Sequence, residues 1–366
     1  MASVVLVTGV SRFMGGAVSQ ALSHDPAIER IIGVDVIPPP HSIGRAEFVR
    51  ADIRNPMIGK IIAQAQVDTV VHMNVIATPV TAGGRVSQKE INVIGTMQLL
   101  AACQKAGSLQ RLVVKSSAAV YGSSPRDPAM FTEDMVPKAM PRAGFGRDSA
   151  EVEGYVRGFS RRRPEVGVAM LRFANIIGPG IRTELTDYFT LPVIPVPFGF
   201  DARLQFVHEA DATSALMAAT IAAEPCGIVN IAGDGVISVL QAAALVGRPV
   251  LPLPFAAAGL VGGLVKRLGR ADFSADQMEF LAHGRGLDTA RMRRVLGFEP
   301  AYTSRRAFTD FADHVGGPLP GSELVGHAAS SAVGSAAAVL SHALSPASST
   351  ALPSASSIAP SPGRSH

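Results

Sequence analysis

Cysteine, charge and long apolar runs are all scarce in this chain of 366 residues. Its two cysteines, Cys103 and Cys226, are too few and too far apart for a disulfide framework or a cysteine-based zinc site, so we expect a reducing, cytoplasmic environment and no metal. Charged residues make up only 17% of the chain, and the net charge of +4 is spread along it. Nucleic acid is therefore not an expected partner, because its binding needs a clustered basic face.

The longest apolar run, 250–265, is too short for a membrane-spanning helix, which needs roughly 20 residues. Pro252 and Pro254 also interrupt its start. We interpret the run as a core helix near 256–268 and do not expect a membrane partner; the alternative, contact with a membrane surface, would rest only on Lys266, Arg267 and Arg270.

The composition changes near residue 316, where the chain becomes rich in Ala, Ser, Pro and Gly. From there to residue 366 it has no aromatic residue, and Glu323 and Arg364 are its only acidic or basic residues besides histidine. Such a segment cannot bury enough apolar surface to offset the entropy lost on ordering, so we predict a disordered tail over 316–366. The 47% hydrophobic content of the whole chain indicates a large core in the remainder.

Short apolar runs alternate with amphipathic stretches over the first half of the chain. This alternation predicts an α/β protein with a doubly wound parallel sheet, whose strands are covered on both faces. The predicted strands are 4–7, 30–34, 47–50, 69–72, 111–115 and 167–172. The predicted helices are 14–23, 57–64, 88–106 and 147–161, followed in a looser second half by 209–223 and 289–296.

A glycine-rich turn separates the first predicted strand from the first helix. Gly9 and Gly15 bracket this turn, which can hold a pyrophosphate at the helix N-terminus. Asp35 ends the second strand at the spacing of a carboxylate that binds an adenosine ribose. A carboxylate there would repel a 2′-phosphate, so the pattern predicts NAD rather than NADP as the cofactor. The alternative is that Asp35 only caps the following loop.

Several motifs, in order along residues 4–315, resemble those of the extended short-chain dehydrogenases/reductases, in the NAD-dependent epimerase/dehydratase branch that includes UDP-glucose 4-epimerase. The strongest is SSAAVYG at 116–122, which resembles SSAxVYG. The others are TGVSRFMG at 8–15, ADIR at 51–54, VVHMN at 70–74, NVIGT at 92–96, LRFANIIGP at 171–179, FVHEAD at 206–211 and LGFEP at 296–300.

The resemblance implies a Rossmann-type NAD-binding domain over 1–174, a smaller substrate-binding lobe over 175–315 and a nucleotide-sugar substrate. It also implies a homodimer built on the helices 88–106 and 147–161. The cofactor-binding residues it implies are Gly9, Arg12, Phe13, Met14, Gly15, Asp35, Asp52, Ile53, Met73, Asn74, Asn92 and Ser116. The substrate-binding residues it implies are Ser117, Asn175 and Arg203, with Ser117 also catalytic.

One departure from the family lies in the glycine loop, where Arg12 replaces the middle glycine. Glycine at that position lets the backbone approach the pyrophosphate closely. Arg12 therefore either displaces the phosphates, or binds them through its guanidinium, or pairs with Asp35.

A second departure removes the family's acid/base pair. Phe145 stands at the position of the catalytic Tyr and Ser149 at that of the Lys, and no Tyr of the chain is followed four residues later by Lys. Loss of a positioned acid/base typically costs 10²–10⁴-fold in rate. Two hypotheses follow: an epimerase-like oxidoreductase with a relocated acid/base, or a dinucleotide-binding sensor or scaffold without turnover.

The relocated acid/base has five candidates, each with a structural alternative. Asp148 and Glu151 can instead be ordinary carboxylates near a helix N-terminus, and Lys115 can be a side chain whose amine only reaches for solvent. Tyr121 and Lys138 complete the set.

On the substrate side, Leu204 stands where the family has a phosphate-binding Arg, and Arg203 is one residue away. Arg285 and Arg291 supply further positive charge.

Overall fold

The computed structural model describes residues 2–77, 83–136, 141, 144–254 and 275–315. The predicted tail, the predicted helix near 256–268 and Lys138 lie outside these described residues.

Seven parallel strands form the main sheet in the order β11-β6-β5-β4-β1-β2-β3, which confirms the predicted fold class. These strands are β1 Val4–Thr8, β2 Arg30–Asp35, β3 Glu47–Arg50, β4 Thr69–His72, β5 Arg111–Ser117, β6 Gly167–Phe173 and β11 Gly227–Ile231. All six predicted strands are present. Four of them run one or two residues further than predicted, and β5 extends to include Ser117.

Helices cover both faces of the sheet. On one face α1 packs against α7, and on the other α2, α4 and α5 pack together. Their bounds are α1 Phe13–Leu22, α2 Met57–Gln64, α3 Arg85–Lys89, α4 Thr96–Lys105, α5 Gly144–Arg162 and α7 Glu209–Ile221. Two separate apolar cores fill the two faces, which explains why the strands read as continuous hydrophobic runs.

The predicted helix 88–106 is interrupted by a π-helix, Glu90–Gly95, between α3 and α4. Inside it the Asn92 side chain bonds the backbone of Ile76, with Ile76 N to Oδ1 at 2.7 Å and Nδ2 to Ile76 O at 2.9 Å. The Thr96 hydroxyl also donates to the Asn92 carbonyl. A widened turn of this kind is frequent at functional sites, and here it anchors the loop after β4.

The second half of the chain forms a smaller layer of short elements with its own apolar core. Three two-stranded pairs belong to it: β7 with β10, β8 with β13, and β9 with β12. Their bounds are β7 Asn175–Ile177, β8 Ile194–Pro197, β9 Arg203–Leu204, β10 Phe206–His208, β12 Ile237–Ser238 and β13 Val250–Leu253. The helices are α6 Glu184–Phe189, α8 Val239–Leu245, α9 Ala275–His283, α10 Ala290–Leu296 and α11 Ser304–Val315.

The division predicted at residue 174 stays a prediction, and one strand crosses it. β11 lies at 227–231, beyond the boundary, yet it pairs with β6 as the edge strand of the main sheet. Within the described residues, no helix is both long enough and apolar enough to cross a membrane. The same residues contain no cluster of three or more side chains suited to holding a metal ion.

Candidate active site

The carboxyl ends of β2, β1, β4 and β5 lie side by side and form one edge of the sheet. Register aligns them closely: Thr8 of β1 is opposite both Val34 of β2 and His72 of β4, and His72 is opposite Val114 of β5. Ligands of doubly wound sheets bind outside this edge. The loops that follow these strands carry most of the predicted site residues.

The glycine loop after β1 has no room for side chains at two positions. Gly9 has φ +76°, and a Cβ there would lie 2.6 Å from Asn74 Oδ1. A Cβ on Gly15 would overlap the Gly9 carbonyl, so this residue is what lets α1 pack tightly onto the loop. The side chain of Arg12, at the helix N-cap, does not cap the helix. The backbone N–H groups of the first turn of α1 could therefore donate to a ligand.

The two residues between Arg12 and Gly15 contribute in different ways. Met14 is buried in the core beneath α1, so only its backbone can meet a cofactor. Phe13 is more than one-third exposed and lies against Gly180, in the loop that follows β7. The Phe13 ring therefore joins the glycine loop to the second half of the chain.

Asp35 lies beneath the glycine loop and is only 7% exposed. Its Oδ2 accepts from Ser11 N at 3.1 Å and its Oδ1 from Val36 N at 2.7 Å. These two bonds fix the carboxylate at the end of β2, where an adenosine ribose hydroxyl could donate to it. Burial lowers the pKa of Arg12, while the charge of Asp35 acts in the opposite direction.

Asp52 and Ile53 follow β3 and take separate roles. Arg54 binds the Asp52 carboxylate through Nε and Nη2, the latter at 2.7 Å, and this hydrogen bonding lowers the pKa of Asp52. Ile53 is buried in the core. An adenine could therefore meet the backbone of Asp52 and Ile53 and the exposed part of the Asp52–Arg54 ion pair.

The loop after β4 is held by buried polar groups. His72 Nδ1 lies 3.0 Å from Thr8 Oγ1, and its Nε2 lies 2.8 Å from Thr96 Oγ1. Since the Thr96 hydroxyl donates to a backbone carbonyl, His72 donates from Nε2 and accepts at Nδ1. Burial, assisted by the nearby Lys115 charge, lowers the His72 pKa to about 3, so this histidine is neutral. It positions Met73, whose N–H donates to Thr8 Oγ1.

Asn74 and Asn92, both predicted to bind the cofactor, are placed differently. Asn74 lies against Gly9, directly at the glycine loop. Asn92 uses both ends of its amide on the Ile76 backbone, so it holds the loop that carries Met73 and Asn74.

At the end of β5 the two serines point to opposite faces. Ser117 Oγ accepts from Ala119 N at 3.1 Å and caps a 3₁₀ turn, Ala118–Tyr121; its side chain is partly exposed. Ser116 Oγ donates instead to Glu153 Oε1 at 2.7 Å, inside the protein. Strand alternation turns the Ser116 side chain away from the crevice, so only its backbone could meet a cofactor, and its role in cofactor binding stays a prediction.

The residues at the family's Tyr and Lys positions lie at the start of α5 and supply no acid/base group. Phe145 packs against the core, and Ser149 is fully buried. The Ser149 hydroxyl has no hydrogen-bond partner in the described part of the chain. A phenyl ring has no proton to transfer, and an ordinary serine hydroxyl carries no charge.

Two of the relocated acid/base candidates are occupied by other contacts. Asp148 is buried and forms a bidentate ion pair with Arg85, whose Nη2 lies 2.7 Å from Oδ1. The Tyr121 hydroxyl lies 2.9 Å from Asn230 Oδ1 and accepts from Arg172 Nη1 at 2.8 Å. Burial raises the Tyr121 pKa, which makes proton release harder.

The other two described candidates differ in position. Glu151 is partly exposed on α5. Lys115 directs its amine to Val75 O, 2.9 Å away in the loop after β4. Burial, followed by the charge of Arg12, lowers the Lys115 pKa to about 8. The interpretation of Lys115 as a solvent-seeking side chain is therefore wrong, because its amine binds protein backbone at the crevice.

Sequence reasoning missed a buried ion pair beneath the site. Glu153 of α5 accepts from Arg172 Nε at 2.9 Å and Nη2 at 2.7 Å, and both residues are at most 6% exposed. Burial alone would lower the pKa of Arg172, but the hydrogen bonds that it donates to Glu153 raise it. A signal was present, since an Arg on a buried strand requires an acidic partner, and Glu153 lies on the predicted helix 147–161.

The substrate-side residues are dispersed. Asn175 begins β7 and is partly exposed, and Arg203 is exposed on β9 beside the buried Leu204. Arg285 donates to Gly122 O at 2.7 Å and to Ser123 Oγ at 3.1 Å, just beyond the end of β5, and burial lowers its pKa to about 10.

Arg291 lies elsewhere, near Gly227, at the start of β11. That position is the amino edge of the sheet, opposite the crevice, so only Arg285 of this pair can add charge near the site.

The tight glycine loop, the uncapped first turn of α1 and the carboxylate at the end of β2 together define a Rossmann-type dinucleotide-binding protein. The model of the NAD dependent epimerase/dehydratase family matches residues 5–232, and the chain belongs to this family. The residues at the crevice fit NAD, because Gly9 and Gly15 allow the tight turn that a pyrophosphate-binding loop needs, and Asp35 can accept from a ribose.

Individual relatives extend this likeness. Uncharacterized protein Rv0501 of Mycobacterium tuberculosis is 46% identical over 312 residues, covering 84% of this chain and 83% of the relative. Among solved structures, MoeE5 in complex with UDP-glucose and NAD has a TM-score of 0.65 at 21% identity. UDP-glucose 4-epimerase of Thermotoga maritima with UDP-glucose has a TM-score of 0.65 at 19% identity. Both comparisons cover 85% of this chain and 98% of the other.

Proposed function

We propose that this protein is an NAD-dependent, epimerase-like oxidoreductase of nucleotide sugars, such as UDP-sugars, with an atypical active site. The observation that carries the proposal is the partly exposed Ser117 hydroxyl at the end of β5, on the same sheet edge as the glycine loop and Asp35. Support for the substrate class comes from the two similar structures that contain UDP-glucose.

NAD would be held by the glycine loop, by Asp35 and by the loop after β4, and when bound it accepts and returns a hydride. Ser117 is placed to hydrogen-bond a substrate hydroxyl or keto oxygen. Asn175 and Arg203 are proposed to bind the nucleotide part of the substrate. Phe145 leaves the usual proton relay absent, so we expect slow turnover.

The alternative is a sensor or scaffold that binds the dinucleotide without turning it over. It is favoured by Phe145 and Ser149, and by the engagement of Asp148 and Tyr121 in other contacts. A common assay separates the two: interconversion of UDP-glucose and UDP-galactose by the purified protein, together with absorbance of reduced cofactor at 340 nm.

Variants make the assay decisive. Turnover that Ser117→Ala abolishes supports the enzyme, whereas turnover that survives Ser117→Ala refutes the assigned site. With no wild-type turnover, the double change Phe145→Tyr with Ser149→Lys should create activity, and each single change should do little, because a Tyr without the cation keeps a pKa near 10. A double variant that binds both ligands and stays inactive would contradict the family mechanism here.

We further propose a cytoplasmic homodimer. Exposed apolar side chains follow one stripe of the π-helix and α4, at Ile94, Met97 and Ala101. Light scattering of wild type and of Met97→Asp tests the seam. A wild-type monomer would contradict it, as would a dimer that Met97→Asp leaves intact.

A further inference from the structure

Two cations from different elements lie at the sheet edge that forms the cofactor crevice. Lys115 lies near the end of β5, and Arg12 immediately precedes α1. β4 lies between β5 and β1 in the sheet, and the Lys115 amine reaches across to the loop that follows it, at Val75 O. The Arg12 charge is close enough to lower the Lys115 pKa.

Strand alternation fixes the side on which Lys115 stands. The side chain of Ser116 enters the buried cluster with Glu153, so its neighbours Lys115 and Ser117 both face the other way. Lys115 and Ser117 therefore lie two residues apart on the same face of β5, on the crevice side.

The amine is a charge without an acidic partner. In the described part of the chain no carboxylate pairs with Lys115, and its charged neighbour is the like charge of Arg12. The nearby His72 is neutral. Arg12 has the charge of Asp35 beside it, whereas a buried amine next to a like charge is destabilised unless an anion compensates it, and buried lysines are seldom left unpaired.

We propose that Lys115, with Arg12, binds the pyrophosphate of NAD, Lys115 taking the phosphate on the nicotinamide side. This inference rests on NAD binding in the proposed function. The side follows from the sheet: Asp35 on β2 marks the adenosine end, and β5 lies on the other side of β1. A pyrophosphate carries two negative charges, and one of them would compensate the Lys115 amine, which has no carboxylate partner among the described residues. Lys115 thereby supplies the cation that Ser149 does not.

Calorimetric titration tests the assignment with NAD⁺, ADP-ribose and AMP as probes. Lys115→Gln keeps a donor for Val75 O but removes the charge. It should lower the affinity for NAD⁺ and for ADP-ribose at least about tenfold. The affinity for AMP, which lacks the second phosphate, should change less than about threefold in the same variant. Lys115→Arg should retain ADP-ribose affinity, and Arg12→Gly should weaken it. Lys60→Gln, at an exposed lysine of α2, is the matched control and should change nothing.

Several results would overturn the assignment. Unchanged or tighter ADP-ribose binding in Lys115→Gln would show that Lys115 only supports the Val75 loop or obstructs the ligand. Equal losses of affinity for AMP and for ADP-ribose in Lys115→Gln would show that Lys115 does not act on the second phosphate. Wild-type protein that binds neither NAD⁺ nor ADP-ribose would refute the proposed function as well. If Lys115→Gln does not fold, Lys115→Met, titrated in the same way, provides the uncharged comparison, and the Arg12→Gly arm still tests the pair.

Discussion

Replacing Glu153 by Ala tests the ion pair on which the site is built. Glu153 is 1% exposed and accepts from Ser116, Arg157 and, twice, from Arg172. Arg157 is half-exposed and can turn to water. Arg172 cannot, so its charge would be left buried with the Tyr121 hydroxyl and the Glu133 carbonyl as its acceptors among the described residues. Removing one partner of a buried pair typically costs about 3–5 kcal/mol, and we expect that loss here.

Urea unfolding, followed by circular dichroism, measures the change in free energy. Glu151→Ala, two residues earlier on the same helix and partly exposed, is the control and should shift stability by no more than about 0.5 kcal/mol. The loss of stability in Glu153→Gln should lie between those of Glu153→Ala and Glu151→Ala, because an amide keeps an acceptor but presents a donor to Arg172. A loss below about 1 kcal/mol for Glu153→Ala would refute the reasoning, since it would mean that Arg172 is solvated or paired elsewhere.

Three further predictions concern the cofactor crevice. Gly15→Ala should weaken NAD⁺ at least about tenfold in calorimetry, because its Cβ would overlap the Gly9 carbonyl; unchanged affinity would contradict the loop geometry. Wild type should bind NAD⁺ more tightly than NADP⁺, and Asp35→Asn should narrow that difference, whereas tighter NADP⁺ binding by wild type would sink the role of Asp35. The Lys115 pKa falls from 10.5 unfolded to about 8 folded, through burial and then Arg12, with His72 neutral beside it. The unfolded chain therefore holds more protons above pH 8, so wild type should gain about 2 kcal/mol of stability relative to Lys115→Met from about pH 8 to about pH 10. A difference in unfolding free energy between wild type and Lys115→Met that does not change with pH would show that the amine is solvated; urea unfolding at each pH measures it.

The main sheet was predictable because each strand is a short, continuous apolar run bounded by turn residues. Periodicity also located α2 to the residue and α1 within one residue at each end. The break at Glu90–Gly95 was not predictable, because it depends on Asn92 bonding the backbone of Ile76. That contact joins segments separated in sequence, which local propensity does not register.

The short strands of the second half escaped prediction for a related reason. β9 and β12 are two residues each and exist only because they pair with each other. β11 reads as one apolar segment among several, and only its pairing with β6 shows that it belongs to the main sheet. A strand of this length carries too little periodic signal to be assigned from sequence.

The site was predictable in position and less so in the direction of its side chains. Gly9, Gly15 and Asp35 lie together at one edge of the sheet, because their backbone requirements are local, while their binding of a cofactor stays a prediction. The direction of the Ser116 side chain could not be predicted, because a motif does not show which face of a strand a residue occupies. The burial of Glu153 with Arg172 decides that question.

Charge connects the departures from the family pattern. Ser149 removes a cation from the α5 side of the crevice, while Arg12 adds one from the glycine loop and Lys115 approaches from β5. The positive charge therefore lies on the glycine loop and on β5, where we propose that the pyrophosphate binds, and not on α5, which carries the Lys in the family. A cation beside the pyrophosphate strengthens cofactor binding, but it cannot lower the pKa of a phenol that Phe145 does not have. The same substitutions thus favour a firmly held cofactor and slow proton transfer, which is the combination that the titrations and the turnover assay examine separately.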